Sequence, residues 1–427
     1  MSLKSSPQLR RELGVVGATV MGLGSIIGTG VFVSIGIAAG IAGNAVILAV
    51  IIGALVAICN GLNSAQLAAN HPVSGGSYEY GYKYLNSWLG FTAGWMFLLA
   101  KSASAATAAL GFAGYFLNAT GLAGRGLLIP LALASVFVIT AVVLNGIRRS
   151  NRVNIAIVSI SIFSLIFFVL GGIPTAIATG RENLTPFNGS FSTVLHASAL
   201  MFVAYTGYGR IATLGEEAKE PRKTIPKAII VTMIVTMLIY VGVATIAVAG
   251  VGAENLGKSA FTGQAAPLEV AVRSFGIPGG AQILAIGAIF AMLGVLLNLI
   301  LGLSRVLLAM GRRRDMPRIF ARLNTTGTTP TPAVIAVSSI ISILVLIGNV
   351  KTTWSFSAFT VLIYYAVTNL AAFSLSSNER LYPKWLSILG LSACVFLAFW
   401  VEPFIWQVGL ALIVAGLIWH AVARMKN

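Results

Sequence analysis

Between Gly24 and Gly30 the chain reads Gly-Ser-Ile-Ile-Gly-Thr-Gly, inside an apolar run from about Leu13 to Ala38. That run is long enough to cross a bilayer, which takes about 20 residues. Its centre is poor helix material, because each Gly costs about 1 kcal/mol relative to Ala. In lipid, an interrupted helix is tolerated only where it is buried in protein or lines a cavity. An interruption here frees N–H groups on one side and C=O groups on the other, in the middle of the membrane. Such a socket matches a small zwitterion, with N–H groups for a carboxylate and C=O groups for an ammonium.

The rest of the chain supports a membrane setting. Of its 427 residues, 57% are hydrophobic and 9% are charged, against about 25% charged in soluble domains. A net charge of +17 could suggest nucleic acid, but its distribution points elsewhere. Most of the 28 Lys and Arg fall in one set of alternate loops and at the termini, as in Arg148, Arg149, Arg312, Arg313, Arg314 and Arg318. The opposite loops hold Arg125, Arg181, Lys258, Arg273 and Lys351. This asymmetry follows the positive-inside rule, excludes nucleic acid as a partner, and places both termini in the cytoplasm. The Arg-rich loop from Gly311 to Thr331 reads as a topology anchor that attracts lipid phosphates. Cys59 and Cys394 lie in apolar spans, with neither disulfide nor metal-ligand spacing. No metal or cofactor site is expected, and no catalytic dyad supports an enzyme.

Hydropathy predicts an all-α membrane protein of 12 transmembrane helices, with no separate soluble domain. The spans lie near 13–38, 44–69, 88–117, 126–145, 153–173, 191–214, 228–250, 280–308, 333–349, 354–376, 385–402 and 404–422. The sixth span repeats the oddity of the first: Ala204-Tyr205-Thr206-Gly207-Tyr208-Gly209-Arg210 sets two glycines, a Thr and a charge at mid-span. The two interrupted spans are five apart in order, and a repeat of an odd number of spans reverses membrane orientation. Matching breaks at the first span of each half are the pointer to an inverted-repeat transporter. The two halves of this 5+5 inverted repeat are 13–173 and 191–376, and residues 385–422 add two C-terminal helices.

Five motifs then resemble those of the amino acid–polyamine–organocation (APC) superfamily of transporters. They are Gly24 to Phe32 (GSIIGTGVF), Pro72 to Tyr78 (PVSGGSY), Gly94-Trp95, Glu216 to Pro226 (EEAKEPRKTIP), and Ser304-Arg305 with Ala309 to Arg312. They occur in the family's order and cover most of the chain. The resemblance implies a substrate carboxylate held by amides at Gly28, Thr29 and Gly30. It implies an ammonium held by carbonyls near Ile26, Ile27, Val203 and Thr206. A helix start at Thr29 presenting its positive dipole end agrees with this. Ser102, Tyr205 and Tyr208 are candidates for side-chain selectivity, although Tyr205 and Tyr208 equally suit ordinary packing.

The chain also departs from the family. Ser161 stands where many proton-coupled members carry a Lys, and Leu293 and Gly294 stand where sodium-coupled relatives place hydroxyls. Instead, the spans hold two cations, Lys101 and Arg210. An intramembrane Lys costs about 2.5–3.5 kcal/mol on insertion scales. Lys101 can satisfy carbonyls exposed by the breaks, exchange a proton as coupling ion, or join Arg210 in favouring an anionic substrate. Glu216 and Glu217 follow span 6 and suit either an inner gate or a solvated pair. The expectation is a permease for amino acids or related amines in the inner or plasma membrane, possible coupling being to protons. The alternatives are an uncoupled exchanger or facilitator, and a non-transporting amino acid sensor.

Overall fold

The computed structural model describes residues 13–73, 75–145, 151–212, 218–261, 265–325 and 328–425. Among these, the regular structure is helical. The first expected span is built from α1 (Val15–Ile26), α2 (Thr29–Phe32) and α3 (Ser34–Ala42). Next come α4 (Val46–Asn70), a short α5 (Ser77–Tyr84), α6 (Ser87–Ala119), α7 (Leu128–Leu144) and α8 (Asn151–Leu184). The second half starts with α9 (Phe191–Tyr205), a 3-10 turn (Thr206–Tyr208) and α10 (Gly209–Ala212). It continues with α11 (Pro221–Val251), short α12 (Ala253–Phe261) and α13 (Pro267–Ser274), then α14 (Gly280–Arg312). The chain closes with α15 (Thr331–Leu346), α16 (Val350–Phe373), α17 (Lys384–Ala398) and α18 (Pro403–Met425).

Seven helical stretches among the described residues are long and apolar enough to cross a membrane, and α1, α7, α15 and α17 are shorter apolar helices. Their ends follow local chemistry. Asn86 caps α6 by accepting from the Leu89 amide, and Ser190 and Thr193 form a reciprocal capping box on α9. Asn349 caps α16, and Pro221 opens α11, where a missing N–H is harmless. Helix α8 runs past the expected end at residue 173. Thr179 and Asn183 donate to the Ala249 carbonyl at 2.7 and 2.8 Å, so α11 holds its polar last turns in place. The non-spanning helices α5, α12 and α13 are additions to the hydropathy reading.

Helices α6 and α16 form the enclosed centre: 83% and 78% of their apolar windows are buried, against 22% for the peripheral α18. Outward-facing Phe137, Phe163, Ile177 and Leu238 leave apolar surface where lipid would lie. One end of the bundle, here termed the basic end, carries α5 and the turn after Arg312. The other end carries α12 and α13. Between α4, α16 and α17, a buried polar chain joins Asn63 to Asn369 and Asn369 to Asn60, each at 2.7 Å. Ser387 and Gln66 donate to the Asn63 carbonyl oxygen, and the free thiol of Cys394 donates to Asn60. Such groups are tolerated in an apolar interior only when bonded to one another.

His420, near the end of α18, is wholly buried. Its ring stacks on Phe91 with centroids 4.5 Å apart, and its Nδ1 lies 3.3 Å from Asp315. At the opposite end, His196 and Lys351 flank Glu402 at 3.3 and 3.0 Å, tying α9 and α16 to the start of α18. Burial pushes the Glu402 carboxyl up, but the hydrogen bond and charge of His196, helped by Lys351, outweigh it and hold the group at about 2. A depressed carboxylate adds stability above its unfolded value and loses it as pH falls toward the folded one. Thermal unfolding in detergent should therefore show stability falling between about pH 4.5 and about pH 2, and Glu402→Gln should flatten that limb. An unchanged acid limb in the variant would contradict the pairing.

Candidate functional site

Helix α1 stops where the sequence places its first interruption. The Ile27 amide still reaches the Leu23 carbonyl at 2.8 Å, after which Ile27 and Gly28 turn extended. A new helical segment starts at Thr29, with the amides of Val31 and Phe32 on the Gly28 carbonyl, both at 3.1 Å. The first amides of such a segment have no partner within it. The second interruption lies alongside: α9 ends at Tyr205, and Thr206–Tyr208 tighten into a 3-10 turn. The two meet backbone to backbone. A Cβ on Gly207 would fall 2.3 Å from the Ser25 carbonyl oxygen, and one on Gly30 would fall 2.8–3.0 Å from Ala204. Only glycine permits either approach.

The freed carbonyls are partly satisfied by side chains. Tyr240, buried in α11, places its hydroxyl 2.9 Å from the Ile26 oxygen and 3.3 Å from the Ala204 oxygen, touching both interruptions at once. The Thr206 hydroxyl donates to the Val203 carbonyl at 2.8 Å, and Tyr365 donates to the Thr206 carbonyl at 3.3 Å. Beyond the first break, Ser34 donates to the Gly30 carbonyl, and Tyr115 donates to the Phe32 carbonyl at 2.7 Å. The Tyr115 oxygen in turn accepts from the Leu268 amide of α13 at 3.3 Å, so the far end is packed shut over α2.

A cavity of about 1750 Å³ runs from the interruptions to the basic end. Its inner wall includes Ser25, Lys101, Thr206, Gly207, Arg210, Asn298, Tyr364 and Tyr365. Lys101 is buried, and its Nζ donates to Thr206 Oγ1 at 3.0 Å and sits 6.0 Å from the Tyr364 ring centre. Glu79 and Arg313 pair across the mouth at 2.8 Å. Arg313 also lies 4.1 Å from the Tyr82 ring centre. Tyr78 and Tyr82 both donate to the Asp315 carboxylate at 2.6 Å. Burial first, and this bond next, push both phenols well above their ordinary range, so they stay protonated donors.

Of the residues singled out in the sequence, Ile26, Ile27, Gly28, Thr29, Gly30, Val203 and Thr206 gather at the interruptions, and of these Thr206 lines the cavity while the others are packed behind its wall. Thr29 Oγ1 is buried with no hydrogen-bond partner among the described residues. Ser102 is buried in α6 and does not line the cavity. Tyr205 packs on Tyr240 with its hydroxyl 3.3 Å from the Val50 carbonyl, and Tyr208 packs on Tyr365. Ser161 donates to the Ile157 carbonyl of its own helix at 2.8 Å, with the Gly287 carbonyl of α14 at 3.3 Å. Glu216 and Glu217 lie outside the described residues. Hydropathy overlooked Tyr240, Asn298 and the pair Tyr364-Tyr365. The available signal was a phenol or amide at mid-span, which must find a partner when buried.

The sequence profile of a family described as amino acid permease matches residues 17–426. An uncharacterized transporter of Mycobacterium tuberculosis is 36% identical over 418 residues, covering 98% of this chain and 92% of the relative. A branched-chain amino acid permease of Bacillus subtilis is 31% identical over 342 residues, 75% of this chain and 71% of the relative. A methylthioribose transporter of the same organism is 29% identical over 343 residues, covering 76% and 72%. If the Tyr240 hydroxyl holds both interruptions, Tyr240→Phe should cost about 1 kcal/mol of stability. It should also cut solute uptake severalfold in reconstituted vesicles. Unchanged thermal unfolding and uptake would contradict that role.

Proposed function

The chain belongs to the amino acid permease family, and from that premise we propose that it is a secondary transporter of amino acids or related amines, working by alternating access across the cell membrane. The observation that carries this reading is the meeting of two helix interruptions at the closed end of a cavity open to one side. We assign twelve spans. α1–α3, α4, α6, α7 and α8 form the first repeat, and α9–α10, α11, α14, α15 and α16 form the inverted second. Helices α17 and α18 are additional. Both termini and the basic end then face the cytoplasm, and the conformation described is inward-facing.

The amides of Gly28, Thr29 and Gly30 hold the substrate carboxylate, with the Thr29 hydroxyl beside them. The carbonyls of Ile26, Ile27, Val203 and Thr206 face the ammonium. A carbonyl oxygen has two lone pairs, so the bonds from Tyr240 and Tyr365 leave room for a second donor. Tyr205, Tyr208 and Ser102 support this chamber from behind and set its width. Glu79 and Arg313, paired at the mouth in this conformation, tie α5 to the turn after α14 there. Ser161, bonded across to α14, favours exchange over proton coupling as a second reading, since the hydroxyl carries no titrating charge at that position.

Uptake of radiolabelled amino acids into proteoliposomes tests the proposal. Saturable uptake should appear, and imposing a pH gradient or loading the inside with substrate separates coupled transport from exchange. Binding with no flux under any gradient would contradict the transporter reading.

A further inference from the structure

The cavity wall is one-sided in charge. Among the described residues, it presents Lys101, Arg210, Arg305, Arg312 and Arg313 as cations. The one carboxylate among the described lining residues is Glu79, at the mouth and paired with Arg313. Lys101 lies deepest, 8% exposed, and forms no ion pair among the described residues. Its hydrogen-bond partner is a neutral hydroxyl, Thr206 Oγ1. That hydroxyl spends its proton on the Val203 carbonyl, so it accepts from Lys101. An ammonium has three donors, and a buried cation with no countercharge is costly in an apolar interior.

We infer that this chamber takes an amino acid with an anionic side chain, a dicarboxylate such as glutamate or aspartate, whose second carboxylate is bound by Lys101. The inference rests on the amino acid reading of the same site. Thr206 belongs to the second interruption itself, so an anion on Lys101 lies next to a substrate whose ammonium and first carboxylate occupy the broken helices. The bound anion neutralises Lys101 and forms charge-assisted hydrogen bonds to its remaining N–H groups. A cationic side chain meets Lys101 as a like charge and is rejected. A neutral side chain of the same shape leaves the Lys101 charge uncompensated and binds less well. Arg210 lines the same wall.

The isostere pair glutamate and glutamine tests this on the unaltered chain. Thermal unfolding of the full-length protein in detergent is titrated with L-glutamate, L-glutamine, L-leucine and L-arginine. Glutamate should bind at least about tenfold more tightly than glutamine, with no shift from arginine. Lys101→Met should erase the glutamate preference. Because the comparison is made first on the unaltered chain, a variant that fails to fold does not remove the test. Glutamine or leucine binding as tightly as glutamate would overturn the inference and leave the transporter reading standing. No shift with any of the four would overturn both.

Discussion

An apolar bundle with two interrupted helices must find partners for the peptide groups those interruptions expose. Here the solution starts with close contact between the two breaks, Gly207 against the Ser25 carbonyl and Gly30 against Ala204. The Tyr240 hydroxyl then lies between the Ile26 and Ala204 oxygens. Left unpaired in a lipid-like interior, such groups would cost several kcal/mol each. Contact between breaks confines them to one shared chamber, and a single phenol from α11 reaches both. The first amides of α2 have no partner within their own helical segment.

The remaining architecture supports that chamber from different directions. Helices α6 and α16 enclose it, with Lys101, Tyr364 and Tyr365 on its wall. Toward α13, Tyr115 links the Phe32 carbonyl to the Leu268 amide and shuts the far side. Toward the basic end the cavity stays open, and ionic and aromatic contacts gather there. Glu79 with Arg313, and Tyr78 and Tyr82 with Asp315, join α5 to the turn after α14. A buried amide chain between α4, α16 and α17 is satisfied within itself and fixes those three helices together.

Much of this was legible in the chain because lipid restricts the options so severely. Long apolar runs report spans, and Gly-Thr-Gly or Gly-Tyr-Gly within one reports a break that only a cavity can tolerate. The interruptions at Ile27–Gly28 and Thr206–Tyr208 fall where those residues place them. What stayed hidden depends on partners remote in sequence. Nothing near Tyr240 indicates that its hydroxyl meets Ile26, 214 positions away. Polar turns such as Arg181 to Leu184 look like loop until Asn183 and Thr179 find the end of α11. Nothing in the sequence around His420 indicates that Asp315, Phe91 and Trp88 enclose it. Side-chain direction around a helix also escapes a hydropathy reading, which is why neighbouring Lys101 and Ser102 differ in facing the cavity.

The most direct test is amide hydrogen exchange of the reconstituted chain with and without a transported amino acid. Slowed exchange should be concentrated in peptides covering residues 24–32 and 203–210, where ligand contact and break geometry coincide. Protection that leaves both stretches unchanged and appears elsewhere in the bundle would contradict a substrate site formed by the two interrupted helices.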